Sequence, residues 1–408
     1  MWSCVLKAGI HGSRQQDKNL EELGQVGRLK RLLLILPLFL PPKVLFIFAD
    51  NKGMASLSPI EAKNELNRLL KQMFEKGGSD LHLKVGQPPI MRVHGILAKT
   101  NEQPISAEYL QSLAFSILSE SQQKEIESAK ELDMAYSVPD LARFRVNYFY
   151  QMGKLGAVFR SIPFNIKSVD ELGLPDSILK FCDLPRGLVL VTGPTGSGKS
   201  TTLAALIDFI NTNRNCHIIT IEDPIEFLHS DKKSAINQRE LGSDTHSFAE
   251  ALKHVLRQNP DVILVGELRD LETIQLAITA AETGHLVFAT LHTIDAAQTI
   301  DRMVDVFPPE QQAQIRLQLS VSLQGVVSQT LVPTKGSGSR VAATEILVCN
   351  SGIQSTIRAG KTHQIYSMIQ TGAAEGMKLL DQSLKELVNK GLVSREEAVA
   401  KASNPAEF

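Results

Sequence analysis

Residues 193–200 have the residue types and the spacing needed to hold a chain of phosphates. They read GPTGSGKS and satisfy the pattern G-x-x-x-x-G-K-[ST]. Glycines let backbone N–H groups close around phosphate oxygens at the positive end of a helix. In such a loop Lys199 contacts the β- and γ-phosphates, and the Ser200 hydroxyl binds Mg²⁺. The pattern therefore predicts a site for ATP with Mg²⁺.

The residues on either side of this loop support the same interpretation. Residues 188–192 form an apolar strand leading in, and residues 200–207 have the composition of a helix leading out. The alternative, a glycine-rich turn that binds nothing, does not require both flanks. The residues predicted to contact the nucleotide are Gly193, Pro194, Thr195, Gly196, Ser197, Gly198, Lys199, Ser200 and Thr201.

Two groups of carboxylates follow apolar runs further along the chain. Hydrolysis of ATP needs one acidic group beside the water shell of the metal and another that positions the attacking water. Glu267 follows the run 262–266, and the preceding run ends in Glu222, Asp223 and Glu226. Because the carboxyl ends of parallel strands meet at one crevice, we predict that both groups face the phosphates. The alternative is that these are solvated residues at strand ends.

Two histidines bracket a further apolar run, residues 286–291. A histidine beside a nucleotide can respond to the γ-phosphate, so His285 and His292 are candidate site residues. A histidine at a strand end is more often exposed or hydrogen-bonded to backbone. A zinc site is not expected, because no cysteine or second histidine stands at ligand spacing.

From about residue 183 onward, apolar strands alternate with amphipathic helices around these motifs. That alternation is typical of a parallel sheet with helices on both faces, and it predicts an α/β fold. A flexible loop is expected at 335–339, and helical segments at about 350–358, 361–370 and 377–403. The predicted strands are 188–192, 217–222, 262–266, 286–292 and 326–332.

The stretch from Met54 to about residue 162 is predicted to be a separate α+β domain. Residues 58–61 read as a capping box, and a helix with one apolar face follows them. Alternation at 81–85 predicts a strand, and a helical stretch is expected over about 106–128. The predicted division is an atypical leader at 1–53, the N-terminal domain at 54–162, a linker at 163–176, a nucleotide-binding domain at 177–360 and C-terminal helices at 361–408.

Residues 1–53 differ in texture from the rest of the chain. Basic residues precede two apolar runs, 32–40 and 44–48, and the stretch from 32 to 48 contains three prolines and Lys43. A membrane span needs roughly 20 predominantly apolar residues, and no cleavage pattern of a signal peptide follows. We interpret the segment as the result of a translation start placed upstream of the real one, which would be Met54. The alternative is that the segment is an interfacial anchor.

The balance of charge argues against one class of function. Lys plus Arg total 43 and Asp plus Glu total 44, so no strong net field draws the chain onto nucleic acid. A nucleic-acid motor would need a local basic channel and is kept only as an alternative. The four cysteines stand far apart, which is typical of reduced, structural thiols.

The motifs, taken in order, resemble those of the secretion and pilus ATPases. TIEDPIEF at 220–227 is similar to the acidic box of that group, and ETGHLVFATLHT at 282–293 to its histidine box. The segments GSDLHL at 78–83 and ARFRVN at 142–147 resemble the type IV pilus retraction ATPases, the PilT family. The resemblance runs from Met54 to the end of the chain. It implies a PAS-like N-terminal α+β domain followed by a RecA-like P-loop ATPase domain with C-terminal helices.

The resemblance also implies roles for single residues. Glu267 is implied as the Walker B acid that holds Mg²⁺ together with Ser200, and Glu222 as the acid that activates water. Lys199 is the third implied catalytic residue, and His285 and His292 become expected members of the site. The arginines implied to meet phosphate are Arg143 and Arg145, with Arg160, Arg257 and Arg269 as further candidates.

By the same resemblance, the chain is expected to form a homohexamer whose ATP hydrolysis drives type IV pilus retraction and twitching motility. Expected partners are the inner-membrane platform protein and paralogous pilus ATPases, without nucleic acid, at the cytoplasmic side of the inner membrane. Residues 352–359 keep only Ile353, Ile357 and Arg358 of a short signature of retraction ATPases. An accessory PilU-like motor is therefore the main alternative, and an enzyme that phosphorylates a small molecule is a more distant one.

Overall fold

The first helix shows how directly local sequence sets local structure. In α1 (Pro59–Glu75) the Ser58 hydroxyl accepts from the Glu61 N–H, and the Glu61 carboxylate accepts from the Ser58 N–H at 3.1 Å. The predicted capping box is confirmed. The apolar face, which includes Leu66 and Met73, is fully buried. The protein is described by a computed structural model for residues 57–93, 95–139, 141–162, 166–336 and 338–408.

The helix α1 packs on the first of two sheets, a six-stranded sheet in which every pairing is antiparallel. Its strand order is β3-β2-β1-β6-β5-β4. The helical stretch predicted over about 106–128 is present as two helices, because Ser119 accepts from the Gln122 N–H and starts the second one. The elements are β1 Gly78–Lys84, β2 Ile90–Val93, β3 Ile96–Lys99, α2 Ala107–Phe115, α3 Glu120–Ala129, β4 Glu131–Val138, β5 Ala142–Gln151 and β6 Lys154–Ile162.

The second sheet has seven strands in the order β13-β12-β7-β11-β10-β8-β9. All neighbours pair in parallel except β12 and β13, which form an antiparallel hairpin. The five predicted strands are present, and their ends differ from the predicted ones by at most three residues, whereas the edge strands β9 and β13 were not predicted. The elements up to the hairpin are β7 Gly187–Thr192, α4 Lys199–Asn213, β8 His217–Glu222, β9 Ala235–Glu240, α5 Phe248–Val255, β10 Val262–Val265, α6 Leu271–Glu282, β11 Leu286–Leu291, α7 Ala296–Asp305, α8 Pro309–Ser322, β12 Leu323–Pro333 and β13 Arg340–Val348.

Helices cover both faces of this sheet, as the sequence pattern predicts. Successive side chains of β7 point to opposite faces, so Leu188 and Leu190 pack in the cluster that contains α6. Val189 and Val191 pack in the cluster that contains Leu206 of α4. Each fully buried aliphatic side chain contributes about 1.5–3 kcal/mol, so the two layers hold the central strands rigidly.

Short helices end the chain. The helical segment predicted over about 377–403 contains two helices, because Gly391 adopts a left-handed backbone angle (φ 71°) and separates them. None of the helices in the described ranges is long and apolar enough to cross a membrane. The interpretation of residues 1–53 lies outside the described residues. The last helices are α9 Ser351–Arg358, α10 Ile365–Thr371, α11 Leu380–Asn389 and α12 Arg395–Val399.

Candidate nucleotide site

A cavity of about 660 Å³ opens at the carboxyl ends of four neighbouring strands, β7, β11, β10 and β8. The phosphate loop (residues 193–200) follows β7, and the acidic segment (residues 222–229) begins at the end of β8. The predicted site residues that line this cavity are Arg145, Thr195, Gly196, Gly198, Lys199, Ser200, Thr201, Glu222, Asp223, Glu226, Glu267, Arg269 and His292.

The phosphate loop owes its shape to glycine backbone angles. Gly193, Gly196 and Gly198 have φ values of 140°, 77° and 90°, a region that other residues rarely adopt. A Cβ on Gly193 would lie 2.2 Å from the carbonyl oxygen of Gln329, so the close packing there also requires glycine. Gly198 caps α4 without a side-chain acceptor, which leaves the first N–H groups of the helix available to an anion.

A buried glutamine from β12 braces the phosphate loop. The Nε2 atom of Gln329 donates to the carbonyl oxygen of Ser197 at 2.7 Å, and its Oε1 atom accepts from the Thr202 hydroxyl at 2.8 Å. Gln329 is 3% exposed, so both bonds are shielded from water. No spacing in the sequence singles out this residue, because it is one of several polar side chains in a long strand.

The ammonium group of Lys199 lies over the phosphate loop. It donates to the carbonyl oxygens of Gly193 at 2.8 Å and Pro194 at 3.3 Å. Burial lowers the pKa of Lys199, and the negative charges of Glu267 and Glu226 oppose that shift. A lysine held in this way presents positive charge to the mouth of the loop, where phosphates are expected.

Glu222 is the first residue of the acidic segment, and its carboxylate is held by three donors. The Thr220 hydroxyl donates to its Oε1 atom at 2.6 Å, and the Gln238 amide donates to the same atom at 3.1 Å. The Glu226 N–H donates to the Oε2 atom at 3.4 Å. Burial raises the pKa of Glu222 despite these donors, and the charge of Glu226 adds to the increase. A carboxylate with a raised pKa is a better proton acceptor.

Glu267 is held differently, by positive groups. Arg269 pairs with it through Nε–Oε1 and Nη2–Oε2, both at 2.8 Å, and the His292 Nε2 atom lies 3.2 Å from Oε1. These contacts lower the pKa of Glu267, Arg269 first and His292 after it, so the carboxylate stays ionised. The structure thus brings His292 and Arg269 together with the predicted metal-side acid.

The described residues contain no group of three or more His, Cys, Asp or Glu side chains able to hold a metal ion. Mg²⁺ does not require such a group, since it binds through one or two protein oxygens, substrate phosphates and water. An ionised Glu267 and the Ser200 hydroxyl line the same cavity, and this oxygen donor set fits Mg²⁺.

Several predicted residues do not line the cavity. Among them is Arg160, whose Nε atom donates to Asp80 at 2.8 Å; the others are Gly193, Pro194, Ser197, Arg257, Arg143 and His285. Arg143 of β5 donates from Nη2 to the Oε2 atom of Glu240 at 3.1 Å and does not line the cavity, whereas Arg145 of the same strand does. The Nδ1 atom of His285 lies 3.0 Å from the carbonyl oxygen of Ala280, away from the cavity. The contact of Arg143 and His285 with nucleotide therefore stays a prediction.

Several residues that line the cavity escaped the sequence patterns. His229 ends the acidic segment, and burial lowers its pKa to about 4, so the imidazole is neutral at neutral pH. Arg340 belongs to β13, one of the two strands that were not predicted. The others are scattered polar and apolar positions without a diagnostic spacing. The unpredicted lining side chains include Phe227, His229, Phe248, Leu331 and Arg340.

Comparison with known proteins gives consistent results. The family described as type II/IV secretion system protein matches residues 54–400. The chain is 53% identical over 344 residues to the type IV pilus retraction ATPase PilT of Pseudomonas aeruginosa, covering 84% of this chain and 100% of that protein. It is 52% identical to a twitching motility protein of Neisseria gonorrhoeae over 78% of this chain and 84% of that protein.

A weaker similarity links the chain to PilU of Pseudomonas aeruginosa, at 41% identity over 83% of this chain and 89% of that protein. Among solved structures, the pilus retraction motor PilT with bound ADP superimposes with a TM-score of 0.78 and 47% sequence identity. That superposition covers 84% of this chain and 98% of the other. It supports a RecA-like fold for the second sheet and its helices.

Proposed function

Because the chain belongs to the type II/IV secretion system protein family, in the group of the PilT pilus retraction ATPases, we propose that it hydrolyses ATP to drive retraction of type IV pili. The observation that carries this proposal is the single cavity in which the phosphate loop, Glu222 and Glu267 face one another. We propose an N-terminal domain at 54–162, a nucleotide-binding domain at 177–360 and C-terminal helices at 361–408. The linker at 163–176 joins the first two.

The reaction proposed is attack of water on the γ-phosphorus of ATP, which breaks the bond to the β-phosphate oxygen and yields ADP and phosphate. Glu222 takes the proton of the attacking water, a role that its raised pKa favours. Lys199 and the N–H groups of the phosphate loop stabilise charge on the transferred group. Arg145 approaches the same cavity from the first sheet and adds positive charge there.

Residues that fit Mg²⁺ are the Ser200 hydroxyl and the ionised Glu267 carboxylate. Bound there, Mg²⁺ would neutralise phosphate oxygens and so favour departure of ADP. Arg269 and His292 keep Glu267 ionised and orient its two oxygens. Arg143 and His285 are kept as candidates for a rearranged, nucleotide-bound form.

We further propose a homohexamer at the cytoplasmic face of the inner membrane, acting on the membrane platform of the pilus with paralogous pilus ATPases as additional partners. In each subunit, the N-terminal and nucleotide-binding domains would close around ATP and reopen after the products are released. This movement would supply the mechanical step. Nucleic acid is not a proposed partner, since the chain carries 43 basic and 44 acidic residues.

Deletion of the gene, followed by counts of surface pili and a twitching assay, tests the proposal. A heavily piliated, non-motile mutant that is rescued by the wild type but not by Glu267→Ala is the expected result. A bald mutant would contradict retraction and indicate pilus assembly.

The alternative is an accessory, PilU-like motor. It is favoured by one observation, the loss of most of the retraction signature in α9, where only the buried Ile353 and Ile357 and the following Arg358 are kept. The same deletion separates the two functions, because loss of an accessory motor would leave cells motile with normal piliation.

A further inference from the structure

The side chain of Gln238 lies between Glu222 and the rest of the acidic segment. It belongs to the edge strand β9, whose parallel register places Gln238 beside Thr220 and Glu240 beside Glu222. Thr220, Glu222 and Gln238 therefore share one face of the sheet. The acidic segment folds back over the same face, where residues 227 and 229 contact Gln238.

Every polar atom of the Gln238 amide is used. Its Nε2 atom donates to the Glu222 Oε1 atom at 3.1 Å and to the Phe227 carbonyl oxygen at 2.8 Å. Its Oε1 atom accepts from the His229 N–H at 2.9 Å. The nitrogen thus meets two acceptors and the oxygen meets a donor, so only one orientation of the amide satisfies all three contacts.

The contacts at Phe227 and His229 resemble the pairing between two strands. The side-chain amide of Gln238 takes the place of a peptide group and bonds to a carbonyl and an N–H two residues apart in the acidic segment. Residues 223–229 have no strand partner of their own in the described structure. The Gln238 side chain therefore makes hydrogen bonds to the backbone of the acidic segment that a neighbouring strand would otherwise make.

The same arrangement makes the two oxygens of Glu222 unequal. The Oε1 atom accepts from both the Thr220 hydroxyl and the Gln238 amide, at 2.6 and 3.1 Å. The Oε2 atom accepts only a long bond of 3.4 Å, from the Glu226 N–H. Oε2 is thus the oxygen with capacity left for a water molecule.

We propose that Gln238 is a positioning residue for ATP hydrolysis, which fixes the acidic segment and turns the Oε2 atom of Glu222 toward the attacking water. This inference rests on the proposed function, because it assumes that Glu222 accepts the proton. Gln238 acts through Glu222 and does not itself line the cavity. No sequence motif marked it, since it stands in a strand of mixed polar residues.

The first test compares Gln238→Leu, which keeps the volume and removes all three bonds, with the wild type. We expect kcat to fall roughly 10- to 100-fold, as for other misplaced catalytic groups, with the KM for ATP changed less than about twofold. The acid limb of the kcat–pH profile should move to higher pH, because the Glu222 anion loses a donor while the charge of Glu226 remains.

Gln238→Glu sharpens the test with a side chain of the same shape. A carboxylate at this position can still accept from the His229 N–H but places a second negative charge beside Glu222. The acid limb should then move upward by about one pH unit or more, further than in Gln238→Leu. The matched control is Asn237→Ala, the adjacent residue of β9, whose side chain contacts His217 on the opposite face; it should leave kcat and the profile unchanged.

Hydrogen exchange of the nucleotide-free protein provides a readout that needs no hydrolysis. In Gln238→Leu, the backbone amides of residues 223–229 should exchange faster, while those of the phosphate loop should not change. Unchanged exchange there, or a fall in kcat with an unmoved acid limb, would overturn the inference. Wild-type hydrolysis by Glu222→Gln would instead overturn the role of Glu222 in the proposed function, whatever the exchange data show.

Discussion

The phosphate loop and the acidic segment face each other across one cavity but are shaped in different ways. The loop takes its form from the backbone angles of three of its own glycines, and a single buried glutamine, Gln329, braces it from β12. The acidic segment instead depends on side chains of the next strand along the chain, Gln238 of β9 and Glu240 at the end of the same strand.

Because of this difference, we expect the phosphate loop to serve mainly binding and the acidic segment to serve mainly turnover. A backbone-built loop presents N–H groups whose positions hardly depend on side chains, which suits recognition of phosphate. A carboxylate held by side-chain hydrogen bonds can be reoriented when one donor moves, which suits a step that has to be switched on. Changes to the glycines of the loop or to Gln329 should therefore affect mainly binding and stability, whereas changes around the acidic segment should affect mainly turnover.

The largest effects are expected at Lys199 on the loop side and at Glu222 on the acidic side. Lys199→Ala removes the positive charge that lies over the loop, and we expect a loss of ATPase rate of roughly 10³-fold. Steady-state hydrolysis by the purified protein measures it. Lys232→Ala is the matched control, because that ammonium group pairs with Asp208 at 2.7 Å outside the cavity. A rate above about a tenth of the wild type would refute the expected role of Lys199.

On the acidic side, Glu222→Gln should lower kcat by about 10²- to 10⁴-fold, the range for loss of a general base. Binding of ATP, measured by calorimetry, should stay within a few-fold of the wild type, because the phosphate loop is intact. A loss of binding equal to the loss of turnover would erase the distinction between the two regions.

The same variant, Glu222→Gln, should also change the thermal stability of the protein. Because burial raises the pKa of Glu222 in the folded protein, the stability that this carboxyl contributes is fully present below its unfolded pKa and is lost as pH rises through the folded pKa. Glutamine carries no such loss. Glu222→Gln should therefore raise the thermal midpoint relative to wild type at neutral pH, and the gain should vanish in acid.

The two glutamines provide the sharpest comparison of the regions. Gln329→Leu leaves the Ser197 carbonyl and the Thr202 hydroxyl buried without a partner, so we expect a loss of about 2 kcal/mol in the free energy of unfolding. Urea denaturation should show it. Gln238→Leu, on the partly exposed edge strand, should cost clearly less stability than Gln329→Leu while lowering kcat more. Equal losses of stability would argue against separate roles.

The smallest effect is expected at Arg269. Its guanidinium holds the pKa of Glu267 below the ordinary carboxyl value, so the stability from that pair is present at neutral pH and is lost as pH falls through the folded pKa. The arginine side chain is 64% exposed, and Arg269→Ala should cost under about 1 kcal/mol of stability. The acid limb of the ATPase profile should move slightly upward. A profile that moves downward would contradict the pairing.

The contrast between the regions also decides what the sequence could predict. The phosphate loop, its strand and its helix were all predicted, because glycine spacing and apolar flanks are local signals. Glu222, Glu267 and His292 were found at strand ends, where a parallel sheet gathers them. The edge strand β9 reads AINQRE, and without an apolar face its pattern does not distinguish it from a loop.

Residues that act through long-range contacts had no such signal. Gln238 and Gln329 stand beside other polar residues in their strands, and only the folded pairing of the strands shows what these two side chains hold. The partners of Arg143 and His285 could not be predicted either, since spacing does not reveal which of two neighbouring groups a side chain will meet. The breaks within the two helical stretches were not predicted for a simpler reason. Ser119 and Gly391 each interrupt a sequence whose pattern is otherwise continuously helical.

The ion pair between Arg143 of the first sheet and Glu240 of the second has a consequence for modularity. The carboxylate side chain of Glu240 is 5% exposed, and its Oε2 atom also accepts from the Ile225 N–H of the acidic segment at 3.1 Å. Arg143 is 21% exposed, so removing the arginine alone should cost less than the roughly 3–5 kcal/mol of a fully buried pair. A fragment produced without residues 57–162 would lack the guanidinium that pairs with this carboxylate beside the acidic segment, and chimaeras between relatives should exchange the arginine and the glutamate as one unit.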